Sequence, residues 1–185
     1  MKHKLKVINL IGSSGAGKST TASGLFHQLN QRPLKIEMIT EYAKQMLWSK
    51  QHPLSFQNQL YITAKQHNKQ LHLEQNDIEW CITDSPLILG HLYTPNDYYK
   101  CFAPLLDEIW SSFNNFNFLL KRNDFAYDPI GRNQTEEESN ELHDALVNIL
   151  KERKIPYYEI NSSYTAHEEI IEILERRERS LKQVV

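Results

Sequence analysis

The sequence has few cysteines and no long apolar run. Only two of the 185 residues are cysteines, Cys81 and Cys101, and neither belongs to a CxxC or His/Cys cluster. This excludes a disulfide framework and a cysteine-based zinc site, and we expect both to be reduced core residues. No apolar stretch approaches the ~20 residues that a membrane helix needs, and the amino-terminal region has no signal-like cleavage pattern. We therefore expect a cytoplasmic protein without a membrane partner.

The chain also lacks an excess of either charge. Its 21 basic and 23 acidic residues give a net charge of −2, so no chain-wide field attracts nucleic acid. A nucleic-acid partner is thus less favoured, although Arg176, Arg177 and Arg179 form a local basic cluster. With 40% apolar residues in a chain of this length, we expect one globular domain over residues 1–185.

Short apolar segments alternate with stretches of helical periodicity. This alternation is typical of an α/β fold with a parallel sheet and helices on both faces, in which ligands bind at the carboxyl ends of the strands. Five segments are predicted strands: Leu5 to Ile11, Leu34 to Thr40, Ile78 to Thr83, Phe116 to Leu120 and Pro156 to Ile160.

Two of the predicted helices carry specific expectations. A long helix opening at Pro53 should bury an apolar stripe, and a helix over Tyr98 to Phe113 should break near Pro104. The predicted stripe consists of Phe56, Leu60, Ala64, His67 and Leu71.

The strongest motif follows the first predicted strand and precedes a predicted helix. It matches G-x-x-x-x-G-K-[ST] in every fixed position, the pattern of a phosphate-binding loop. Its glycines let backbone N–H groups surround phosphate oxygens; Lys18 should bridge the β- and γ-phosphates of ATP, and Ser19 should bind Mg²⁺. We assign nucleotide binding to Gly12, Ser13, Ser14, Gly15, Ala16, Gly17, Lys18, Ser19 and Thr20.

Two acidic residues follow predicted strands at the same edge of the sheet. Asp84 could hold Mg²⁺ directly or through water, although Asp-Ser-Pro is also a turn signal. Glu41, beside Tyr42, could accept a proton from a substrate hydroxyl or simply be a first-turn helix charge. The sequence leaves open whether Glu41 or Asp84 is the base.

Further candidates lie in less specific patterns. Arg122 ends the fourth predicted strand and Arg132 lies in the polar loop that follows, Asn123 to Gln134. This loop could close over the phosphates and exclude water; ordinary surface arginines are the alternative. Tyr127 in this loop is a substrate-binding candidate. Phe56, with Gln57 and Gln59, could stack on and hydrogen-bond a base, or Phe56 could pack in the core.

These motifs together resemble small P-loop nucleoside or nucleotide kinases, in particular the group with the nicotinamide riboside kinase domain of bacterial NAD regulators and its phage relatives known as AAA-type ATPases. The resemblance runs from about residue 5 to 175. Besides the phosphate loop, it depends on Glu41-Tyr42-Ala43, on Asp84-Ser85-Pro86 and on the Arg122 to Arg132 loop.

The resemblance implies a three-layer αβα sandwich with strand order 2-3-1-4-5, transfer of the ATP γ-phosphate with Mg²⁺, and a lid over about residues 123–139. It also implies that Arg132 is the lid arginine. The sequence departs from many such kinases at Asp84-Ser85-Pro86, where an arginine usually follows the acid. Monophosphate acceptors are therefore less well supported than nucleosides.

The function expected from the sequence is ATP-dependent phosphorylation of a small nucleoside, nucleotide or ribosyl compound. A polynucleotide kinase and a P-loop ATPase acting through a protein partner are the alternatives, and a homodimer is left open. A GTPase is disfavoured because the Asn68-Lys69 pair lacks the aspartate of an Asn-Lys-x-Asp element.

Overall fold

Five parallel strands form a single sheet in the order β2-β3-β1-β4-β5 in the computed structural model, which describes residues 4–40, 42, 58–122 and 136–182. The predicted strands and strand order are confirmed. The strands are β1 (Lys6–Ile11), β2 (Ile36–Ile39), β3 (Trp80–Thr83), β4 (Asn114–Lys121) and β5 (Tyr158–Asn161).

The described helices lie in the segments that connect these strands, except α6, which follows the last strand. A short 3₁₀ turn, Leu87–Leu89, also follows β3. The helices are α1 (Lys18–Leu29), α2 (Gln59–Gln75), α3 (Gly90–Tyr93), α4 (Phe102–Ser111), α5 (Glu136–Glu152) and α6 (Ala166–Lys182).

The sheet is buried on both faces, as the three-layer prediction requires. On one face, Leu25 of α1 and Ile170 of α6 are fully buried in a cluster with side chains of β1, β3 and β4. On the other face, Leu106 of α4 and Leu150 of α5 are fully buried against β1, β3 and β4. Full burial of one such side chain stabilises the folded state by about 1.5–3 kcal/mol, so both helical layers hold the sheet in place.

A buried amide network crosses the sheet. The Asn9 amide nitrogen donates to the side-chain oxygens of Asn115 and Asn117 at 2.9 and 3.1 Å, and the Asn117 amide donates to the Pro156 carbonyl oxygen at 2.9 Å. Asn9 and Asn117 are partners in the β1–β4 register. A slip by one residue would bury these amides without partners, so the network favours one register.

The predicted apolar stripe of α2 is confirmed only in part, because Leu71 packs against a hydrophobic cluster and His67 against the Phe113 ring, but the other described members do not. Leu60 is 45% exposed and Ala64 is also exposed, whereas the buried face of the helix is polar. Its buried members are Gln59, Thr63, Gln66 and Gln70. The helix packs over the polar turn that follows β3, where the side-chain nitrogen of Gln66 finds acceptors that a leucine could not use.

Two smaller expectations also fail. Helix α4 begins at Phe102, so Pro104 lies in the first turn, where a missing N–H disrupts no helical hydrogen bond and causes no break. Cys101 is exposed rather than part of the core, while Cys81 is buried, and burial raises the pKa of its thiol to about 12. Within the described ranges, no helix has both the length and the apolarity to span a membrane.

A charged cluster joins α3, α4 and the end of α5. The buried His91 side chain lies with Nε2 2.8 Å from Asp107 Oδ1, and Arg153 donates to Asp107 Oδ2 at 2.5 Å. Because a carboxylate only accepts, Nε2 of His91 carries the proton of the neutral ring. Burial lowers the pKa of His91, and the neighbouring Arg153 charge lowers it further, while Asp107 acts in the opposite direction.

We expect this histidine to contribute to acid sensitivity. Since the pKa of His91 is lower in the folded chain than its ordinary value of about 6.5, the unfolded chain binds the proton first. Its contribution is complete above about pH 6.5 and falls as the pH drops below that value. His91→Gln can still donate to Asp107 but cannot titrate, so its unfolding midpoint should fall less between pH 7 and 5, by roughly a few degrees.

The measurement is thermal unfolding of the unmodified chain and of His91→Gln across this pH range. The matched control is His72→Gln, because His72 is exposed. His72→Gln should keep the acid sensitivity of the unmodified chain. If His91→Gln and His72→Gln lose stability in parallel with it, His91 is not responsible.

Candidate functional site

The loop between β1 and α1 needs glycine at three positions, each for a structural reason. Gly15 and Gly17 have φ angles of 83° and 73°, a left-handed conformation that other residues rarely adopt. At Gly12 the constraint is space, because a Cβ atom would lie 3.1 Å from the Leu120 carbonyl oxygen and 3.0 Å from Ala16 Cβ. The loop is therefore a tight backbone cradle, as the motif predicts.

The cradle is suited to an anion. Helix α1 begins directly after Gly17, so its first N–H groups and the positive end of its dipole face the loop. No acidic residue in the first turn offsets this positive potential. Lys18 Nζ donates to the carbonyl oxygens of Gly12 and Ser13, both at 2.8 Å. Phosphate oxygens would be stronger acceptors for the same ammonium group.

The loop is joined to the end of β3 by one hydrogen bond. The Ser19 hydroxyl donates to Asp84 Oδ2 at 2.7 Å, and Asp84 is only 6% exposed. Its other oxygen, Oδ1, is buried and accepts no hydrogen bond from any residue that the structure describes. A buried carboxylate with an unused oxygen is suited to bind a cation or a donor.

Ser19 and Asp84 fit a magnesium site of the kind that nucleotides complete. Hydroxyl and carboxylate oxygens are the ligands that Mg²⁺ prefers, and it commonly takes one or two from protein and the rest from phosphate and water. Within the described part of the chain, no three His, Cys, Asp or Glu residues lie close enough to form a metal site by themselves.

The buried polar face of α2 lies beside this acid. Gln66 donates from Nε2 to the Thr83 hydroxyl at 3.3 Å and to the Ser85 carbonyl at 3.2 Å. The side-chain oxygens of Gln66 and Gln70 are buried and have no donor among the residues placed by the structure. Sequence reasoning missed this face, although a polar stripe at helical spacing was the available signal.

Ser162, just after β5, was also missed. Its fully buried hydroxyl donates to the Ala16 carbonyl oxygen at 2.6 Å, and its N–H donates to the Lys121 carbonyl at 2.8 Å. The residue thus connects the far strand of the sheet to the phosphate loop. No local motif marks it, because its partner is 146 positions away.

The other predicted site residues are only partly placed. Tyr42 lies with its hydroxyl 3.0 Å from that of Tyr61 in α2, a contact that raises the pKa of Tyr42. Arg122 directly follows β4 and donates to the Asn140 side chain in α5 at 2.8 Å, while Thr20 is exposed in the first turn of α1. Outside the described residues lie Glu41, Phe56, Gln57, Tyr127, Arg132 and residues 123–135 of the predicted lid.

Solved kinase structures share this architecture. The thymidylate kinase from Ehrlichia chaffeensis has a TM-score of 0.64 and 16% identity, over 92% of this chain and 99% of its own. The deoxyadenosine kinase from M. mycoides with bound dCTP has a TM-score of 0.57 and 15% identity, over 92% and 99%. At these identities the likeness establishes a shared fold.

The NadR protein in complex with NR is similar as well, with a TM-score of 0.74 and 16% identity. The match covers 95% of this chain and 52% of NadR, so the chain spans about half the length of that protein.

No curated protein sequence matches the chain. The family model described as AAA domain matches residues 7–169. The chain has the fold of the P-loop nucleoside and nucleotide kinases and belongs to this AAA domain family.

Proposed function

We propose that the protein is a kinase that transfers the γ-phosphate of MgATP to a small nucleoside, nucleotide or ribosyl acceptor. The observation that carries the proposal is the Ser19–Asp84 hydrogen bond beside a glycine-built loop that ends at Lys18. This arrangement combines an anion cradle, a cation and an oxygen-ligand pair, the groups that phosphoryl transfer uses.

Each group has a role in the proposed reaction. The loop N–H groups and Lys18 hold the β- and γ-phosphates, and Lys18 offsets the negative charge that develops between them. Mg²⁺, when bound through Ser19 and Asp84, supplies further charge neutralisation. Asp84 or Glu41 orients the attacking oxygen of the acceptor in line with the γ-phosphorus, and Arg132, assisted by Arg122, stabilises the transferred group.

The named neighbours support this reading by analogy of fold. Thymidylate kinase, deoxyadenosine kinase and NadR in complex with NR are all named for, or hold, small nucleoside-type compounds, and another NadR structure holds NAD and AMP-PNP. ATP as phosphate donor is part of the same proposal. Fold analogy alone does not select the acceptor, because one fold supports several substrates.

The test separates the kinase from its alternatives. ADP formation is measured with MgATP alone, then with a panel of nucleosides, nucleoside monophosphates and nicotinamide riboside, and finally with a 5′-hydroxyl oligonucleotide. Acceptor-dependent ADP formation with a small molecule supports the proposal. Transfer only to the oligonucleotide, hydrolysis that no acceptor stimulates, or no turnover at all contradicts it.

We expect Lys18→Ala to abolish transfer while the chain stays folded. Loss of a preorganised donor at the reacting phosphate costs about 100-fold or more in turnover. Lys35→Ala is the matched control, because Lys35 is exposed and precedes β2, at the amino-terminal ends of the strands and away from the phosphate loop. Steady-state rates and circular dichroism of both variants are the measurements; equal rates for the two variants would count against a role for Lys18.

We also expect Ser162→Ala to weaken nucleotide binding. The lost hydrogen bond leaves the Ala16 carbonyl without its Ser162 donor, which should cost about 1–3 kcal/mol in stability and loosen the loop. Calorimetric affinity for MgADP should fall several-fold. Ser111→Ala removes an exposed hydroxyl that only contacts its own helix and should leave the affinity unchanged. An affinity in Ser162→Ala equal to that of Ser111→Ala would show that Ser162 does not support the loop.

A further inference from the structure

A partly buried cation lies at the carboxyl end of β2. Lys69, in the middle of α2, donates from Nζ to the carbonyl oxygen of Thr40, the residue after β2, at 3.1 Å. The same ammonium group lies 5.4 Å from the ring centre of Tyr42. Backbone and aromatic contacts therefore hold this charge at the edge of the sheet where the phosphate loop also lies.

The strand register places Lys69 on the far side of Asp84 from the phosphate loop. Ile39 of β2 pairs with Thr83, which in turn pairs with Asn9 of β1, so Thr40 lies level with Asp84. Neighbouring strands are about 4.8 Å apart, which puts Thr40 about 10 Å from β1. An acceptor between the two strands would contact the phosphate loop at one end and Lys69 at the other.

The contacts of Lys69 with described residues leave part of the binding capacity of its ammonium group unused. It carries three N–H donors, and the described contacts use one of them on a neutral carbonyl. Among the residues that the structure describes, no carboxylate forms an ion pair with it. Burial lowers the pKa of Lys69 and the Asp84 charge opposes this, which is consistent with a shared environment.

A negatively charged acceptor would need such a group. A phosphate beside the Asp84 carboxylate and the γ-phosphate of ATP is repelled by both, and a partly desolvated cation offsets that repulsion. Ser85 and Pro86 follow Asp84 in the sequence, so no arginine beside the acid supplies this positive charge. A lysine from the neighbouring helix can supply the same charge from a different element.

We propose that Lys69 binds the phosphate of a phosphorylated acceptor, so that the substrate class is nucleoside monophosphates rather than nucleosides. This inference rests on the proposed kinase function. In the reaction, an oxygen of the acceptor phosphate forms a bond to the γ-phosphorus while the bond from that phosphorus to the β–γ bridging oxygen breaks. The products are ADP and the acceptor diphosphate.

The test compares binding of matched pairs in the presence of MgADP: adenosine with AMP, thymidine with dTMP, and nicotinamide riboside with its mononucleotide. At least one monophosphate should bind the unmodified chain about tenfold or more tightly than its nucleoside. Lys69→Gln should weaken that monophosphate about tenfold and its nucleoside less than twofold, and Lys69→Arg should retain most of the affinity. In turnover, Lys69→Gln should raise KM for the monophosphate more than it lowers kcat.

Lys65→Gln is the matched control. Lys65 lies one turn earlier on α2 and its ammonium is also 5.4 Å from a tyrosine ring, that of Tyr61, but the residue is exposed. Its substitution should change both affinities less than twofold. An equal loss of monophosphate affinity in Lys65→Gln and Lys69→Gln would mean that the positive charge of the helix, and not the position of Lys69, attracts the phosphate. That result would overturn the proposal.

Other outcomes also decide the question. Monophosphates that bind no better than their nucleosides, including a panel in which neither member of any pair binds, contradict the Lys69 proposal. MgATP binding and thermal unfolding are measured on the same samples. A folded chain that binds MgATP but prefers nucleosides contradicts this inference alone, whereas a folded chain that does not bind MgATP contradicts the proposed function.

Discussion

The hydrogen bond from the Ser19 hydroxyl to the Asp84 carboxylate exists because β1 and β3 are parallel neighbours. Sixty-five positions separate the two residues, and each follows its own strand at the same edge of the sheet. With β1 in the centre, β4 packs against Gly12 on one side and β3 presents Asp84 on the other. The strand order thus places a cation, an anion cradle and a carboxylate within one small volume.

The same edge of the sheet contains the clearest conflict with ordinary core packing. Helix α2 buries glutamine and threonine side chains, and the buried oxygens of Gln66 and Gln70 have no donor among the described residues. Burying polar groups without partners costs free energy, so a buried polar face is uncommon on a helix whose only role is to pack against the core. Local rules are broken in this way mainly where a site is built.

Charge at this edge comes from elements that are distant in the chain. Lys18 follows the glycine loop, Asp84 follows β3, and Lys69 reaches the end of β2 from the middle of α2. A motif search reads each strand end separately and finds no arginine after Asp84. Since a helix packed over the strand ends can deliver a cation to the same place, the absence of that arginine does not determine the charge of the site.

Periodicity and one local motif were enough to predict five parallel strands, two covering layers and the phosphate loop, because burial patterns and the conformational freedom of Gly15 and Gly17 are properties of neighbouring residues. The strand order was expected through family resemblance rather than from the pattern. Other features depended on contacts between distant residues. The support of Ala16 by Ser162, the polar burial of α2, the exposure of Cys101 and the position of Lys69 beside Thr40 follow from which elements pack together. No short stretch of sequence contains both partners of such a contact, so only the tertiary structure decided them.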